Sequence, residues 1–494
     1  MPAITLVFVH GWSVTNLNTY GNLPARLRDE GAKNGININI EEIFLGRYIS
    51  FHDEVRLPDI SRAFDTALAD QLGGATNFIC ITHSTGGPVI RNWWNTYCRS
   101  AASKFTMSHL IMLAPANYGS ALAKLGKETI GHLKSWVDGI EPGQGVLDWL
   151  ALGSAEAWNL NADWILNGGD QIGPTKFFPF VLTGQSIDRA FYDSLNSYTG
   201  ETGSDGVVRV AAANLQATYI KLEQPVPTKN KNGILISAEL QLTKSALAPN
   251  TPLRIISRRS HSGTTMGIMA SVQTGDAPSM ETVNAIFDCI KVNTIADYTQ
   301  LITKFETETI AVQQQEKVEV EKTLFPSERT FIHDRYSMVI FRVTDSEGFP
   351  VNDYDLLLTA GAANDFNHLP QGFFVDRQQN NNNNNTITYF LNYDILNGDA
   401  EVMNAGKVIR EQIPGTDMLG LQLKPRPGSG FFVRYVDCQF TASKTLFDQI
   451  LNPNSTTMID IVLQRVVDKE VFRMEGLVSE LDFKNTLPSN DIVE

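Results

Sequence analysis

The sequence predicts an α/β fold followed by an all-β module, and three observations support this prediction. Short apolar segments of strand length alternate with amphipathic helical segments over about the first 300 residues, which is typical of a parallel sheet covered by helices. One apolar segment ends on a serine that two glycines follow closely. Beyond about residue 325, short strand-like segments separated by turns replace the alternation, which favours a β-sandwich.

The composition is that of an acidic globular protein. The chain has 494 residues, enough for two or three hydrophobic cores. Its formal net charge is −14 and it contains no long block of Lys and Arg, so a nucleic-acid partner is not expected. The four cysteines are widely spaced, which excludes a disulfide scaffold and predicts buried free thiols.

The amino-terminal segment reads as a strand. Residues 4–9 are apolar and lack the basic leader and the small-residue cleavage site of a signal peptide. No apolar stretch reaches the roughly 20 residues that span a bilayer. The expected location is therefore cytoplasmic or peripheral to a membrane, with no transmembrane helix.

The nucleophile is predicted in the run THSTGG at residues 82–87, directly after an apolar strand. Such a run is typical of a nucleophile elbow, where a serine stands on a sharp strand-to-helix turn with small neighbours. It predicts Ser84 as the nucleophile of an α/β-hydrolase domain. Thr82 departs from the Gly-x-Ser-x-Gly pattern, and the start of an ordinary helix is the alternative interpretation of Ser84. His83 is expected to point away from the hydroxyl.

The oxyanion hole of such a domain takes one backbone N–H from the loop after an early strand and one from the residue after the nucleophile. The first strand ends in VHGW at residues 9–12, which assigns these two donors to Trp12 and Thr85. A strand closed by a plain glycine turn is the alternative. His10 precedes the nucleophile, whereas this fold orders its residues as serine, acid and histidine.

The acid and the base follow in that order. Asp205 lies in the run SDGVV, a tight turn that suits the acid, although an ordinary Asp-Gly turn has the same pattern. Asp188 and Asp193 are rival acids in a predicted helix. His261 stands on a polar loop after a predicted strand and is the first histidine after Asp205. It is the predicted general base.

A cap or lid is expected at about residues 121–170, between two predicted strands of the sheet. It holds four of the seven tryptophans, namely Trp136, Trp149, Trp158 and Trp164. Tryptophan favours boundaries between water and apolar material, so a membrane-facing or substrate-covering lid is one interpretation. The other is that these rings pack the cap onto the body of the domain.

The predicted domain boundaries are 1–300 for the hydrolase, 301–325 for a polar acidic linker and 326–494 for the β-rich domain. Six asparagines at residues 380–385 predict a mobile hairpin tip. The β-rich domain is expected to be a separate module that positions the enzyme on a membrane or on partner subunits. It is expected to supply no residue of the triad.

Two arginines, Arg258 and Arg259, closely precede His261. In an acidic chain they place positive charge beside the predicted base. A guanidinium pairs well with phosphate, so both are candidates for binding a phospholipid headgroup. The alternative is that both are solvated surface residues.

The run THSTGG, with Asp205 in SDGVV and His261 in SHSG, resembles the PlaB-like bacterial phospholipases A. THSTGG is the specific part of this resemblance and makes Thr82 a characteristic residue of the family. The segment SDGVV, which contains the predicted acid, is similar to wider lipase families. By motif the resemblance covers residues 1 to about 290. Beyond them only the general layout agrees, a hydrolase domain followed by a β-rich domain.

The resemblance implies phospholipase A and lysophospholipase activity on membrane phospholipid, peripheral membrane association without a signal peptide, and homo-oligomers. No cofactor or metal is expected. A non-lipid esterase, amidase or acyltransferase with the same triad is an alternative, because a fold does not determine a substrate. A binding protein that keeps the hydrolase domain as a scaffold is another.

Overall fold

The computed structural model describes residues 3–10, 19–50, 52–72, 76–100, 103–125, 143–188, 199–232, 235–236, 238–273, 277–322, 328–428 and 431–468. The strands are β1 Ile4–His10, β2 Ile38–Phe44, β3 Asn77–His83, β4 Thr106–Leu113, β5 Phe178–Thr183, β6 Ala217–Glu223, β7 Ala238–Glu239, β8 Gln241–Leu247, β9 Leu253–Ile255, β10 Val318–Lys322, β11 Glu328–Ile332, β12 Tyr336–Asp345, β13 Tyr354–Ala360, β14 Phe374–Gln379, β15 Thr386–Asn392, β16 Val402–Asn404, β17 Lys407–Arg410, β18 Met418–Pro425, β19 Val433–Arg434, β20 Cys438–Ser443, β21 Thr456–Leu463 and β22 Val466–Val467. The helices are α1 Leu23–Lys33, α2 Leu57–Gln71, α3 Gly86–Trp93, α4 Gln144–Leu150, α5 Ala155–Asn167, α6 Val210–Ala213, α7 Ala277–Ile290, α8 Ile295–Gln315, α9 Tyr393–Asn397 and α10 Lys444–Ile450.

The first sheet has the strand order β2-β1-β3-β4-β5-β9, and all its neighbours pair in parallel. Apolar residues of α1, α7 and α8 form a core on one face, and those of α2, α3 and α5 contribute to a core on the other. The predicted parallel sheet with helices on both faces is therefore confirmed. Because the strands are parallel, their carboxyl ends meet at one edge, where ligands bind in open α/β sheets.

Two further sheets form a sandwich. One has the order β14-β15-β12-β21-β6-β8 and the other β13-β18-β20-β7, with an apolar core between them. The predicted β-rich C-terminal region is thus confirmed. Side chains of β12 alternate, since Val339 and Phe341 enter the sandwich core whereas Met338 and Ile340 enter the core shared with the hydrolase domain. The inner strands β12, β15 and β21 of this sheet are consequently buried on both faces.

The predicted domain boundaries are wrong in two places. Strands β6 and β8 precede residue 300 but belong to the sandwich, where β6 pairs in parallel with β21. Most of the predicted linker is part of α8, which packs on the hydrolase sheet through Tyr298, Leu301 and Phe305. These three residues have helical spacing, which the surrounding polar residues obscured. The two domains share a core and are not separate modules.

The tryptophans of the cap are packed inside. Trp149, Trp158 and Trp164 are each 3% exposed and belong to the core shared by the two domains. The fourth, Trp136, lies outside the described residues. The lid interpretation is therefore wrong for the three described rings, and the alternative, packing of the cap onto the body, is the observed arrangement.

The asparagine run forms the turn of the β14–β15 hairpin and is docked on the hydrolase domain. Asn380 Nδ2 donates to the carbonyl oxygen of Leu152 at 3.0 Å, and Asn383 Nδ2 donates to that of Gly153 at 2.9 Å. Because these contacts hold the turn against the cap, the expectation of a mobile tip is not supported.

All four cysteines are free thiols, and Cys80, Cys289 and Cys438 are buried. Among the described residues, no helix combines the length and the apolar character needed to cross a membrane.

Candidate active site

Ser84 occupies a sharp turn between β3 and α3. Its φ of 54° lies in the left-handed region, which non-glycine residues adopt only where the surroundings impose it. A Cβ on Gly86 would lie 3.1 Å from Cβ of Thr82, and one on Gly87 would lie 2.7 Å from Cβ of Pro115. The glycines therefore let the helix approach the neighbouring strands, and Thr82 fits because it faces a residue without a side chain.

Three predicted residues meet at this turn. The Ser84 hydroxyl donates to Nε2 of His261 at 3.0 Å, and Nδ1–H of His261 donates to Oδ2 of Asp205 at 2.9 Å. His261 and Asp205 are 0% exposed and Ser84 is 8% exposed. This is the hydrogen-bonding arrangement that a serine nucleophile, a base and an orienting acid require.

The carboxylate of Asp205 is oriented by its own loop. Its Oδ1 accepts hydrogen bonds from the backbone N–H groups of Val207 at 3.0 Å and Val208 at 2.8 Å. The backbone N–H of His261 also donates to the carbonyl oxygen of Asp205 at 2.9 Å. With Oδ1 held by amides, Oδ2 is left to face the imidazole.

Among the described residues, neither the alternative acid Asp188 nor the neighbouring histidine His83 takes part in this hydrogen-bond chain. Asp205, not Asp188, contacts His261, and Asp193 lies outside the described residues. His83 Nε2–H donates to the backbone carbonyl oxygen of His261 at 3.0 Å. Burial lowers the pKa of His83 well below its usual value, and the adjacent imidazole of His261 lowers it further. His83 is therefore neutral and holds the backbone of His261, the predicted base, in place.

One predicted donor of the oxyanion hole is described. Thr85 directly follows Ser84 and is the residue that precedes α3, so its N–H belongs to the amides at a helix start that lack an intrahelical partner. The positive end of the helix dipole faces the same place. Trp12, the other predicted donor, lies outside the described residues.

Comparison with known proteins complements this geometry. No profile of a known protein family matches the sequence, and no curated protein matches it. A solved structure of phospholipase PlaB from Legionella pneumophila in complex with thio-NAD is 40% identical, with 97% of each chain covered and a TM-score of 0.82. A second structure of phospholipase PlaB from Legionella pneumophila is 41% identical, with the same coverage and a TM-score of 0.80. This chain belongs to the PlaB phospholipase family.

Membership in the PlaB family confirms the resemblance inferred from the sequence and identifies the chain as a hydrolase. The likeness also reaches further than the motifs indicated. They supported it for residues 1 to about 290, whereas the match covers 97% of the chain and so includes most of the sandwich. The β-rich region is thus a shared part of the PlaB fold.

The two candidate headgroup residues differ in exposure. Arg258 is exposed, and its φ of 52° places it in the left-handed region. Arg259 is buried, and its carbonyl oxygen accepts a hydrogen bond from the backbone N–H of Ser186 at 3.1 Å. The two adjacent arginines therefore have different surroundings.

Glu316, at the end of α8, fixes the base loop, the segment that leads from β9 to the predicted base His261, in this PlaB-family chain. Its Oε1 accepts hydrogen bonds from the Arg258 N–H at 2.7 Å and the Ser257 hydroxyl at 3.0 Å. Its Oε2 accepts from Gln185 Nε2 at 3.0 Å and the Ser186 hydroxyl at 3.3 Å. Sequence reasoning missed this residue because it lies 58 residues beyond Arg258 in a segment interpreted as a linker.

Replacing Glu316 with alanine is expected to lower kcat about 10-fold, since small displacements of a catalytic group are costly. Loss of hydrogen bonds to a charged group is expected to lower the free energy of unfolding by about 2 kcal/mol. Ester hydrolysis and chemical denaturation measure the two effects. Glu306→Ala, at an exposed position of the same helix, is the control. Equal behaviour of the two variants would show that Glu316 does not hold the base loop.

Among the described residues, one cluster of three carboxylates is spaced closely enough to hold a metal ion, and it lies apart from Ser84. It consists of Asp334, Asp394 and Asp399. The ammonium of Lys317 contacts the three carboxylates at 2.8, 2.9 and 2.9 Å. Burial would lower the pKa of Lys317, but these carboxylates raise it above its usual value. The lysine therefore supplies the positive charge that a metal ion would bring.

Proposed function

We propose that this protein is a serine-dependent phospholipase A and lysophospholipase that hydrolyses fatty-acid esters of membrane glycerophospholipids. The observation that carries the proposal is the continuous hydrogen-bond chain from Asp205 through His261 to Ser84 in a member of the PlaB family. Peripheral contact with the membrane and assembly into homo-oligomers are parts of the same proposal.

The proposed reaction begins with attack of the Ser84 hydroxyl on the ester carbonyl. His261 Nε2 takes the hydroxyl proton, and Asp205 keeps the imidazole in the tautomer that presents a lone pair to Ser84. The Thr85 N–H stabilises the oxyanion, with Trp12 N–H as the second predicted donor. His261 then returns the proton to the leaving alcohol, and water hydrolyses the acyl-enzyme to release the fatty acid.

A fluorophosphonate probe tests the enzymatic part of the proposal, because it phosphonylates only activated serines. We expect label on the peptide that contains Ser84 and none in the Ser84→Ala protein. A folded, unlabelled wild-type protein would favour the alternative of a binding protein on a hydrolase scaffold. Label on Ser84 combined with hydrolysis of soluble esters alone would favour a non-lipid esterase or an acyltransferase.

Contact with the phospholipid headgroup is proposed for Arg258, which is an exposed residue of the base loop. Arg258→Gln is expected to lower kcat/KM on anionic phospholipid about 5-fold, as for loss of one exposed ion pair worth about 1 kcal/mol. A short neutral ester should be hydrolysed at an unchanged rate. Assays on both substrates measure the ratio, with Arg62→Gln, an exposed residue of α2, as the control.

The variant Arg259→Gln distinguishes the role of Arg259 from that of Arg258. Because Arg259 is buried, its replacement is expected to disturb the base loop and to slow hydrolysis of both substrates. Unchanged rates on both substrates in Arg258→Gln and Arg259→Gln would exclude headgroup contact by either residue.

A further inference from the structure

Arg209 is a buried cation that joins the two domains. Its side chain is 2% exposed. Its Nε and Nη2 donate to the carboxylate of Glu201 at 2.7 and 2.9 Å, and Nη2 donates to Asp376 Oδ2 at 2.5 Å. Its guanidinium also lies 4.1 Å from the ring centroid of Phe390. Asp376 and Phe390 belong to β14 and β15 of the sandwich, whereas Arg209 and Glu201 belong to the hydrolase domain.

The guanidinium stays charged in this buried place. Burial alone would lower the pKa of Arg209, but Glu201 and then Asp376 outweigh it and raise the pKa above its usual value. A buried cation of this kind depends on both carboxylates, because removing one leaves its charge poorly compensated. The position of Arg209 is therefore set from both domains.

Arg209 closes the loop that carries the acid. Ser204 and Arg209 form an isolated antiparallel bridge. The N–H of Val210 donates to the carbonyl oxygen of Gly203 at 2.9 Å, and the N–H of Asp205 donates to that of Val208 at 3.2 Å. These bonds tie the two ends of the loop together, so a shift of Arg209 moves Asp205 with it.

The sandwich contacts the same loop at two further points. Tyr336 packs so closely on Gly203 that a Cβ there would lie 2.2 Å from its ring, and its hydroxyl lies 2.5 Å from Oγ1 of Thr202. At the other end, the Thr456 hydroxyl donates to the carbonyl oxygen of Ala211 at 2.8 Å. The acid loop is thus held along its length by β12, β14 and β21.

We infer that Arg209 and Asp376 are positioning residues for Asp205, and that the C-terminal sandwich takes part in catalysis by holding the acid. The inference rests on the proposed function. Asp376 is not expected to contact the substrate. It fixes Arg209, Arg209 fixes the acid loop, and that loop aims Oδ2 of Asp205 at His261.

The test is Asp376→Asn in the full-length protein, assayed on a short soluble ester so that membrane binding plays no part. We expect kcat to fall about 10- to 100-fold, the scale of small displacements of a catalytic group, with KM nearly unchanged. The matched control is Asp460→Asn. Asp460 also pairs with an arginine, Arg342, at 3.0 and 2.7 Å, and that arginine stacks on Trp158 of the hydrolase domain at 4.4 Å.

Arg342 contacts α5 and not the acid loop, so Asp460→Asn is expected to keep its kcat although it weakens a contact between the same two domains. The lost ion pair lies within the sandwich, between β21 and β12, and it holds the arginine that stacks on Trp158. Equal losses of kcat in the two variants would overturn the inference, since they would indicate a general loosening of the interface. Unchanged kcat in Asp376→Asn would overturn it as well.

A double-mutant cycle shows whether Asp376 acts through Asp205. If it does, Asp376→Asn causes no further loss of kcat in a protein that already carries Asp205→Asn. Multiplied losses would contradict the inference. A wild-type kcat in Asp205→Asn alone would instead contradict the proposed function, so the two failures are distinguishable.

Tyr336→Phe provides a second variant in case Asp376→Asn does not fold. It keeps the ring on Gly203 and removes only the hydroxyl that contacts Thr202. A several-fold loss of kcat is expected, again absent in the Asp205→Asn background. No loss in the wild-type background would overturn the inference.

Discussion

Replacing Ser84 with alanine is expected to lower kcat about 10⁶-fold, the loss measured when the nucleophile of a serine hydrolase is removed. The reason is geometric, because the Ser84 hydroxyl is the group that donates to His261 Nε2 at 3.0 Å. His261→Ala should cost about as much, and the double variant little more, since the residues act as one unit. Hydrolysis of a short chromogenic ester measures the loss.

Ser61→Ala is the matched control for the serine. Ser61 is also buried and also hydrogen-bonded, but its partners are the backbone carbonyl oxygens of Leu57 and Val89 and the side-chain amide of Asn92. Its replacement should therefore leave kcat unchanged. Circular dichroism and Tm establish that each variant is folded. Near-normal activity in His261→Ala would transfer the role of the base to another histidine and break the assignment.

Asp205→Asn is expected to lower kcat about 10⁴-fold, as in other Ser-His-Asp triads. The amide oxygen of the asparagine can still accept from Val207 and Val208, which now bind Oδ1. Its NH₂ group then faces Nδ1 of His261 and forces the imidazole to carry its proton on Nε2. In that tautomer Nε2 cannot accept the proton of Ser84.

Asp188→Asn is the control for the acid, because Asp188 was the rival candidate and shows no contact with His261 among the described residues. It should retain wild-type kcat on the same ester. A larger loss in Asp188→Asn than in Asp205→Asn would reject Asp205 as the acid.

The residues that meet at Ser84 were predictable because each carries a local signal. Ser84 precedes the two glycines that its turn requires, Asp205 lies in a tight Asp-Gly turn, and His261 follows the last strand of the sheet. Local turn chemistry and chain order were enough to single out three residues from among many polar ones. Whether they act together in catalysis is what the variants above test.

The residues that contact the loops of Asp205 and His261 from distant parts of the sequence carry no such local signal. Asp376 lies 167 residues from Arg209, and Glu316 lies 58 residues from Arg258. In a single sequence both read as ordinary acidic residues, because pairing over such distances depends on tertiary structure. The same holds for β6 and β8, whose sequences indicate strands but not which of the sheets they join.

The shared core changes what removal of the C-terminal region would do. A separate module could be cut away near Lys304 without loss of the hydrolase fold. In the observed arrangement β6 would lose its neighbour β21, and the apolar face that contains Met338, Ile340 and Met458 would be missing from the hydrolase core. The sandwich is therefore a structural part of the hydrolase and not an appendage.

Release of fatty acid from phospholipid vesicles by the purified protein tests the proposed function most directly. Free fatty acid and lysophospholipid are measured by mass spectrometry over time, with the Ser84→Ala protein under the same conditions. We expect the wild-type protein to release fatty acid from both the phospholipid and the lysophospholipid, and the Ser84→Ala protein to release fatty acid from neither. A folded wild-type protein that hydrolyses short soluble esters but releases no fatty acid from vesicles would contradict the proposed function.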